Sequence, residues 1–189
     1  MLDSVPPSTT STPVNSSEHT SSGSDVDVSR CLDECTSELF QGSPWGPLAV
    51  YLAASEALTA IHLSHHWQVS GITFYADHEL FKRLYESAGA DVDPVAEKLV
   101  GLSGEPALTN YFKRLEVMKK FMTNCTSREP YVNVSLNAEL MYIKLGEAVV
   151  AKLKEAGCLS DGLENMLQGI LDKHEGLVYL LKQRVGNAS

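Results

Sequence analysis

Apolar residues recur at three- and four-residue intervals from about position 44 onward, the period of an amphipathic helix, and two-residue strand alternation is nowhere sustained. Ser43 with Pro44 or Pro47 opens a first long helix. Leu48, Leu52, Ser55, Thr59, His62, His66 and Val69 share one of its faces, and Gly71 ends it. A second helix runs from near Thr73 towards Leu102, with Leu80, Leu84, Val92, Val95 and Leu99 as its apolar positions. Gly89 and Pro94 interrupt that run and predict a kink or a restart at Asp93-Pro94. After Gly101 and Gly104, ALTNYFKRLEVMKKFM reads as a short amphipathic helix with Leu108, Tyr111, Leu115, Met118 and Met122 on one side. A third long helix covers 133–156, with Leu136, Leu140, Ile143, Val150 and Leu153 as its stripe. Beyond Gly157, Ser160 opens a fourth, with Leu163, Leu167, Ile170, His174, Leu177 and Leu181 inward. Four helices of about 25 residues, each reaching roughly 37 Å, predict an all-α antiparallel four-helix bundle over residues 44–186. A short extra helix sits between the second and third.

The segment ahead of the bundle differs in kind. Residues 1–28 are rich in Ser and Thr, carry Pro6, Pro7 and Pro13, and contain no Lys or Arg. Such a composition buries too little apolar surface to offset ordering entropy and predicts a disordered tail. Residues 29–43 read as a short helical lead-in.

Charge and cysteine usage narrow the class. A net charge of −9 argues against general nucleic-acid binding and suits cations. Four cysteines, Cys31, Cys35, Cys125 and Cys158, are too few and too scattered for a disulfide scaffold and read as free thiols of a cytoplasmic protein. No basic segment followed by an apolar run opens the chain, which predicts no signal peptide. The most apolar window, PLAVYLAASEALTAIHL, is broken by Ser55 and Glu56 and reads as a core helix rather than a membrane span.

The candidate ligands are His62, His65, His66, Asp77, His78, Asp93 and Glu97. Asp93 and Glu97 stand at i, i+4 on one helix face, and His66 and His78 straddle a tight turn. Imidazole with carboxylate suits Fe(II), Mn(II) or Zn(II). Each residue has a plainer reading. Asp93 before Pro94 reads equally as a helix cap, Glu97 as a solvated side chain, and His174 as a satisfied core histidine. His62 with His66 and Cys31 with Cys35 are further i, i+4 pairs. The cysteines read first as two free thiols, and Lys113, Arg114, Lys119 and Lys120 as a solvated face.

One stretch, HHWQVSGITFYADHELFKRLYESAGADVDPVAEKLVGLSG, carries more. His66-Trp67, Gly71, Phe74, a second histidine twelve residues on at His78, and Asp93-x-x-x-Glu97 fifteen residues later resemble the Dps family, the miniature ferritins. The likeness spans roughly 45–184. It implies a ferritin-like bundle, a hollow dodecamer, and iron as Fe(II) oxidised to Fe(III), usually by hydrogen peroxide, and stored inside. It further implies a catalytic metal site shared between chains, with His66 and His78 from one and Asp93 and Glu97 from its neighbour. Trp67 would be a possible electron donor. Glu155, Asp161 and Glu164, near the turn between the last two helices, would line an ion entry, where an ordinary polar turn is the plainer reading.

Two departures qualify the likeness. The family usually has a carboxylate four residues after the second histidine, where this chain has Lys82, which predicts a weakened second iron position. A Lys- or Arg-rich terminus is missing ahead of Arg30, which argues against direct DNA binding. The expectation is a cytoplasmic ferroxidase that protects against oxidative stress. The alternative is a catalytically silent shell with a structural, interaction or nucleoid-binding role.

Overall fold

A computed structural model describes residues 27–125 and 128–186, and every regular element among them is helical. The elements are α1 (Val28–Phe40), α2 (Gly46–Gln68), α3 (Phe74–Ser103), a 3-10 turn at Pro106–Thr109, α4 (Tyr111–Cys125), α5 (Tyr131–Glu155) and α6 (Asp161–Gly186). The four long helices α2, α3, α5 and α6 form a ferritin-like bundle, with α4 as the short extra helix. The lead-in is α1, which lies against α2 and α5. The tail predicted for 1–28 falls outside the described residues up to position 26.

The helix α2 is apolar nearly all round, and such a helix belongs in the middle of a core. It packs against α1, α3, α4 and α5. Tyr51 of α2 stacks on Tyr142 of α5 with ring centroids 4.6 Å apart, and Ser55 shares a 2.8 Å hydrogen bond with the Tyr142 hydroxyl. Gly146 makes the close approach possible: a Cβ there would stand 2.6 Å from Leu171 and 3.0 Å from the Tyr51 hydroxyl.

Three expectations are corrected. The restart at Asp93-Pro94 does not occur. The helix α3 runs unbroken from Phe74 to Ser103 with Pro94 inside it, so Asp93 is a mid-helix residue and not a cap. Proline at this exposed position costs one backbone hydrogen bond, and thirty residues packed on α2 outweigh it. The stripe read on α5 is displaced. Its buried face holds Ser135, Ala138, Glu139, Tyr142, Val149 and Leu153, because three polar side chains there find partners inside. On α4 the buried residues are Val117, Phe121 and Cys125, whereas Tyr111, Phe112 and Leu115 are exposed.

Candidate metal centre

The turn between α2 and α3 is short because Gly71 adopts φ +88°, a left-handed conformation that few other residues take without strain. It folds the end of α2 against the start of α3 and brings His66 and His78 together. Their rings stack with centroids 3.7 Å apart. His66 Nδ1–H donates to the His78 carbonyl at 2.9 Å, and His78 Nδ1–H donates to the His66 carbonyl at 3.1 Å. This reciprocal pair assigns the tautomer of both rings. Each Nε2 is left as a lone pair, the state in which imidazole ligates a metal. Tyr85 meets His66 edge-on and Phe74 flanks His78, so apolar rings hold both in place.

Asp93 and Glu97 are both exposed on α3. From His78 to Asp93 the helix climbs about 22 Å at 1.5 Å per residue. One chain therefore holds the histidine pair and the carboxylate pair apart. Among the described residues, no three His, Cys, Asp or Glu side chains converge as a metal site. Trp67, beside His66, is 71% exposed and is not a core residue. Further along the chain before His78, Ile72 is fully exposed, and Tyr75 is 77% exposed.

Other candidates have different duties. Asp77 is buried and held by Arg184 at 2.6 and 3.1 Å and by Thr73 at 2.7 Å. Burial would raise its carboxyl, but the Arg184 and Thr73 hydrogen bonds and the Arg184 charge bring it below its ordinary value. It therefore cannot stand in for the carboxylate replaced at Lys82. Lys82 itself is exposed one turn beyond His78. Glu155 ends α5, Asp161 and Glu164 lie in the first turn of α6, and Ser160 caps that helix through Leu163 N–H. The basic cluster on α4 is not merely solvated: Arg114 pairs with Glu56 and Lys120 with Glu38, each at 2.7 Å.

His62 and His66 do not act together, because His62 faces inward. Its Nε2–H donates to Glu139 at 2.9 Å, and its Nδ1 lies 3.1 Å from the Ser135 hydroxyl. That hydroxyl also lies 2.8 Å from His65 Nδ1. Across the core, His174 donates Nδ1–H to Glu139 at 2.6 Å and Nε2–H to Asp91 at 3.0 Å. Lys173 then pairs with Asp91 at the bundle surface. His174 is thus the satisfied core histidine read from sequence. With a carboxylate on each nitrogen it is an imidazolium. Burial would lower it, and its hydrogen bonds to Asp91 and Glu139, with their charges, hold it above its ordinary value. Glu139, which burial would raise, is held below its ordinary value by His174 and His62. Sequence reasoning missed Asp91, Ser135 and Glu139. The signal was available: Ser135, Glu139 and Tyr142 follow one another at helical spacing.

The comparisons with known proteins agree with this architecture. No family model matches the chain. The "Nutrient stress-induced DNA-binding protein" of Nostoc sp. is 30% identical over 135 residues, covering 71% of this chain and 72% of that protein. The "DNA protection during starvation protein" of Brevibacillus brevis is 30% identical over 112 residues, 58% of this chain and 74% of the relative. The chain belongs to the Dps family. The solved Dps structure from Thermosynechococcus elongatus matches with a TM-score of 0.60 at 16% identity, over 79% of this chain and 94% of that one. The Dps fold is therefore kept where most side chains differ. No described helix is long and apolar enough to cross a membrane.

Proposed function

We propose that this Dps-family protein oxidises Fe(II) at sites completed between two copies of the chain and stores the ferric product inside a closed homo-oligomeric shell, a dodecamer. The observation that carries the reading is the reciprocal His66–His78 pair, with both Nε2 atoms free and both rings on an apolar rim. Asp93 and Glu97 of a neighbouring chain supply the anionic oxygens, a reading that the separation of about 22 Å along α3 supports. Imidazole nitrogen with carboxylate oxygen is a suitable set for Fe(II). Hydrogen peroxide is the oxidant: two Fe(II) ions supply the two electrons that reduce one peroxide to water. Trp67, exposed beside His66, donates a further electron in this reading. Glu155, Asp161 and Glu164 concentrate cations at an entry near the α5–α6 turn.

Lys82 bears on the rate. An ammonium one turn from His78 supplies no lone pair and opposes a second cation, so the second iron position is weak. The same residue supports the rival reading of a shell without catalysis. The relatives carry DNA in their names. Here residues 1–29 lack Lys and Arg and the chain has a net charge of −9, so no appreciable direct DNA binding is expected near physiological salt. A gel shift with the assembled protein checks this.

The test of the main reading is Fe(II) oxidation by the assembled protein, followed by near-ultraviolet absorbance with peroxide and with oxygen alone. A His66→Ala, Glu97→Ala variant runs beside it. Oxidation faster than in buffer, lost in the variant and ending in a ferric core retained by the shell, is the expected outcome. Wild-type rates equal to buffer would leave the silent shell.

A further inference from the structure

The thiol pair on α1 has no part in the metal chemistry. Cys31 and Cys35 stand at i, i+4, so both sulfurs lie on one face of the helix. That face rests over a small cleft lined by Val28, Leu32, Val117, Phe121 and Met141 as well as both cysteines. Cys35 is 1% exposed at the bottom, and Cys31 is half-buried above it. The cleft is apolar except at its rim, where α4 contributes Lys120 and Asn124. Asn124 donates Nδ2–H to Cys31 Sγ at 3.9 Å.

The charges around the pair favour a thiolate on the upper sulfur. The Cys31 thiol is brought down to about 7, first by a hydrogen bond from Cys35, against the opposing effect of burial, and then by the Lys120 ammonium. Glu34 opposes and Arg30 adds to this. Cys35 is pushed far up by the same hydrogen bond and by burial, with Glu38 adding to it, and so keeps its proton. Cys125, buried with no such neighbour, is pushed up to about 12 and is inert. At neutral pH the pair therefore holds one nucleophilic sulfur and one protonated sulfur beneath it.

We propose that Cys31 and Cys35 form a dithiol centre that reduces hydrogen peroxide without iron. The Cys31 thiolate attacks one peroxide oxygen and the O–O bond breaks. A sulfenic acid forms at Cys31, and hydroxide leaves beside Lys120 and takes up a proton. Cys35 sulfur then attacks Cys31 sulfur, the S–O bond breaks, and water departs with the Cys35 proton. Two thiols are oxidised to one disulfide, and one peroxide becomes two waters. Cα atoms at i, i+4 are about 6 Å apart in a helix, within the span of a disulfide. Their Cβ atoms stand about 5–6 Å apart against about 4 Å in a disulfide, so closing the bond shifts the first turn of α1, where Cys31 lies. The half-buried sulfur under a narrow opening selects a small oxidant over a bulky disulfide. An added dithiol reductant restores the pair.

The experiment uses the full-length assembled protein, stripped of metal by a chelator. It is exposed to less than one equivalent of peroxide, quenched by alkylation and read by peptide mass spectrometry. The half-buried Cys158 of the α5–α6 turn is the comparator in the same chain. Cys31 is expected to react about tenfold faster than the Cys158 comparator at pH 7. The product is the Cys31–Cys35 disulfide, and the rate rises with pH through about 7. Cys35→Ser leaves a sulfenic acid at Cys31 that dimedone traps, and His66→Ala changes none of this. Reaction of Cys31 no faster than Cys158, or its oxidation in the wild type without a disulfide to Cys35, overturns the proposal. Loss of iron oxidation leaves it standing.

Discussion

A single side chain, Glu139 of α5, joins α2 and α6 inside the core. It accepts from His62 on one oxygen and His174 on the other, and no water reaches any of the three. Removing one partner from such a set leaves the others charged or unpaired. Glu139→Leu is therefore expected to destabilise the fold by about 3–5 kcal/mol, read by thermal or urea unfolding. His65 gives a pH signature. Burial, helped by the His62 charge, lowers it from 6.5 to about 4. Between those values the unfolded chain binds a proton that the folded chain refuses. Stability from this residue is intact above about 6.5 and falls as the pH drops towards 4. Glu139, held below its ordinary value, adds to the loss at still lower pH, as the pH falls through its folded value. His174, held above its ordinary value, works the other way: its contribution is full below 6.5 and is lost as the pH rises through its folded value. Melting temperatures followed by circular dichroism across that range should fall on the acid side, and His65→Gln should flatten the fall.

Among the helices, α3 carries His78 as well as Asp93 and Glu97, so its first turn must be fixed. The start of α3 is tied to the end of α6 by the two Asp77–Arg184 hydrogen bonds. Arg184→Ala leaves a buried carboxylate with only Thr73. The expected cost is roughly 1.5–3 kcal/mol, the scale of hydrogen bonds to a charged group. Amide exchange should quicken first at the start of α3, next to His78. The other end of the same helix explains why the reading of Pro94 as a break failed. Proline removes one donor, but Asp91, three residues before it, and Val95, just after it, are buried, and the partner that Asp91 meets is supplied only by the assembled bundle.

At the scale of the whole molecule, the exposed apolar residues ask for a neighbour. Trp67, Ile72 and Tyr75 are exposed and lie between His66 and His78 in the chain, and Tyr111, Phe112 and Leu115 lie open on α4. Ile72→Asp is expected to lower the mass of the assembly in size-exclusion chromatography with light scattering, while helical content is kept. Iron oxidation should fall with it. Sharing of the site between chains has its own test. His66→Ala and Glu97→Ala chains, each inactive alone, should recover about a quarter of the activity when unfolded together and reassembled, because one pairing in four unites an intact histidine pair with intact carboxylates.

The sequence by itself determined the helices, their order and the turn that joins α2 to α3. Helical period, Gly71 and the spacing from His66 to His78 are local properties, and local properties survive without a partner. The inward face of α6 was legible for the same reason, since its buried positions are apolar apart from His174. The tertiary structure decided which polar residues could be buried. Ser135 and Glu139 look like surface residues on α5 until His62, His65 and His174 arrive from other helices to bond them. It also decided the tautomers of His66 and His78, because the carbonyl that each ring meets belongs to the far side of a turn. Hydrophobic pattern reports the water that a residue avoids; only the fold supplies the partner that lets a charged one avoid it too.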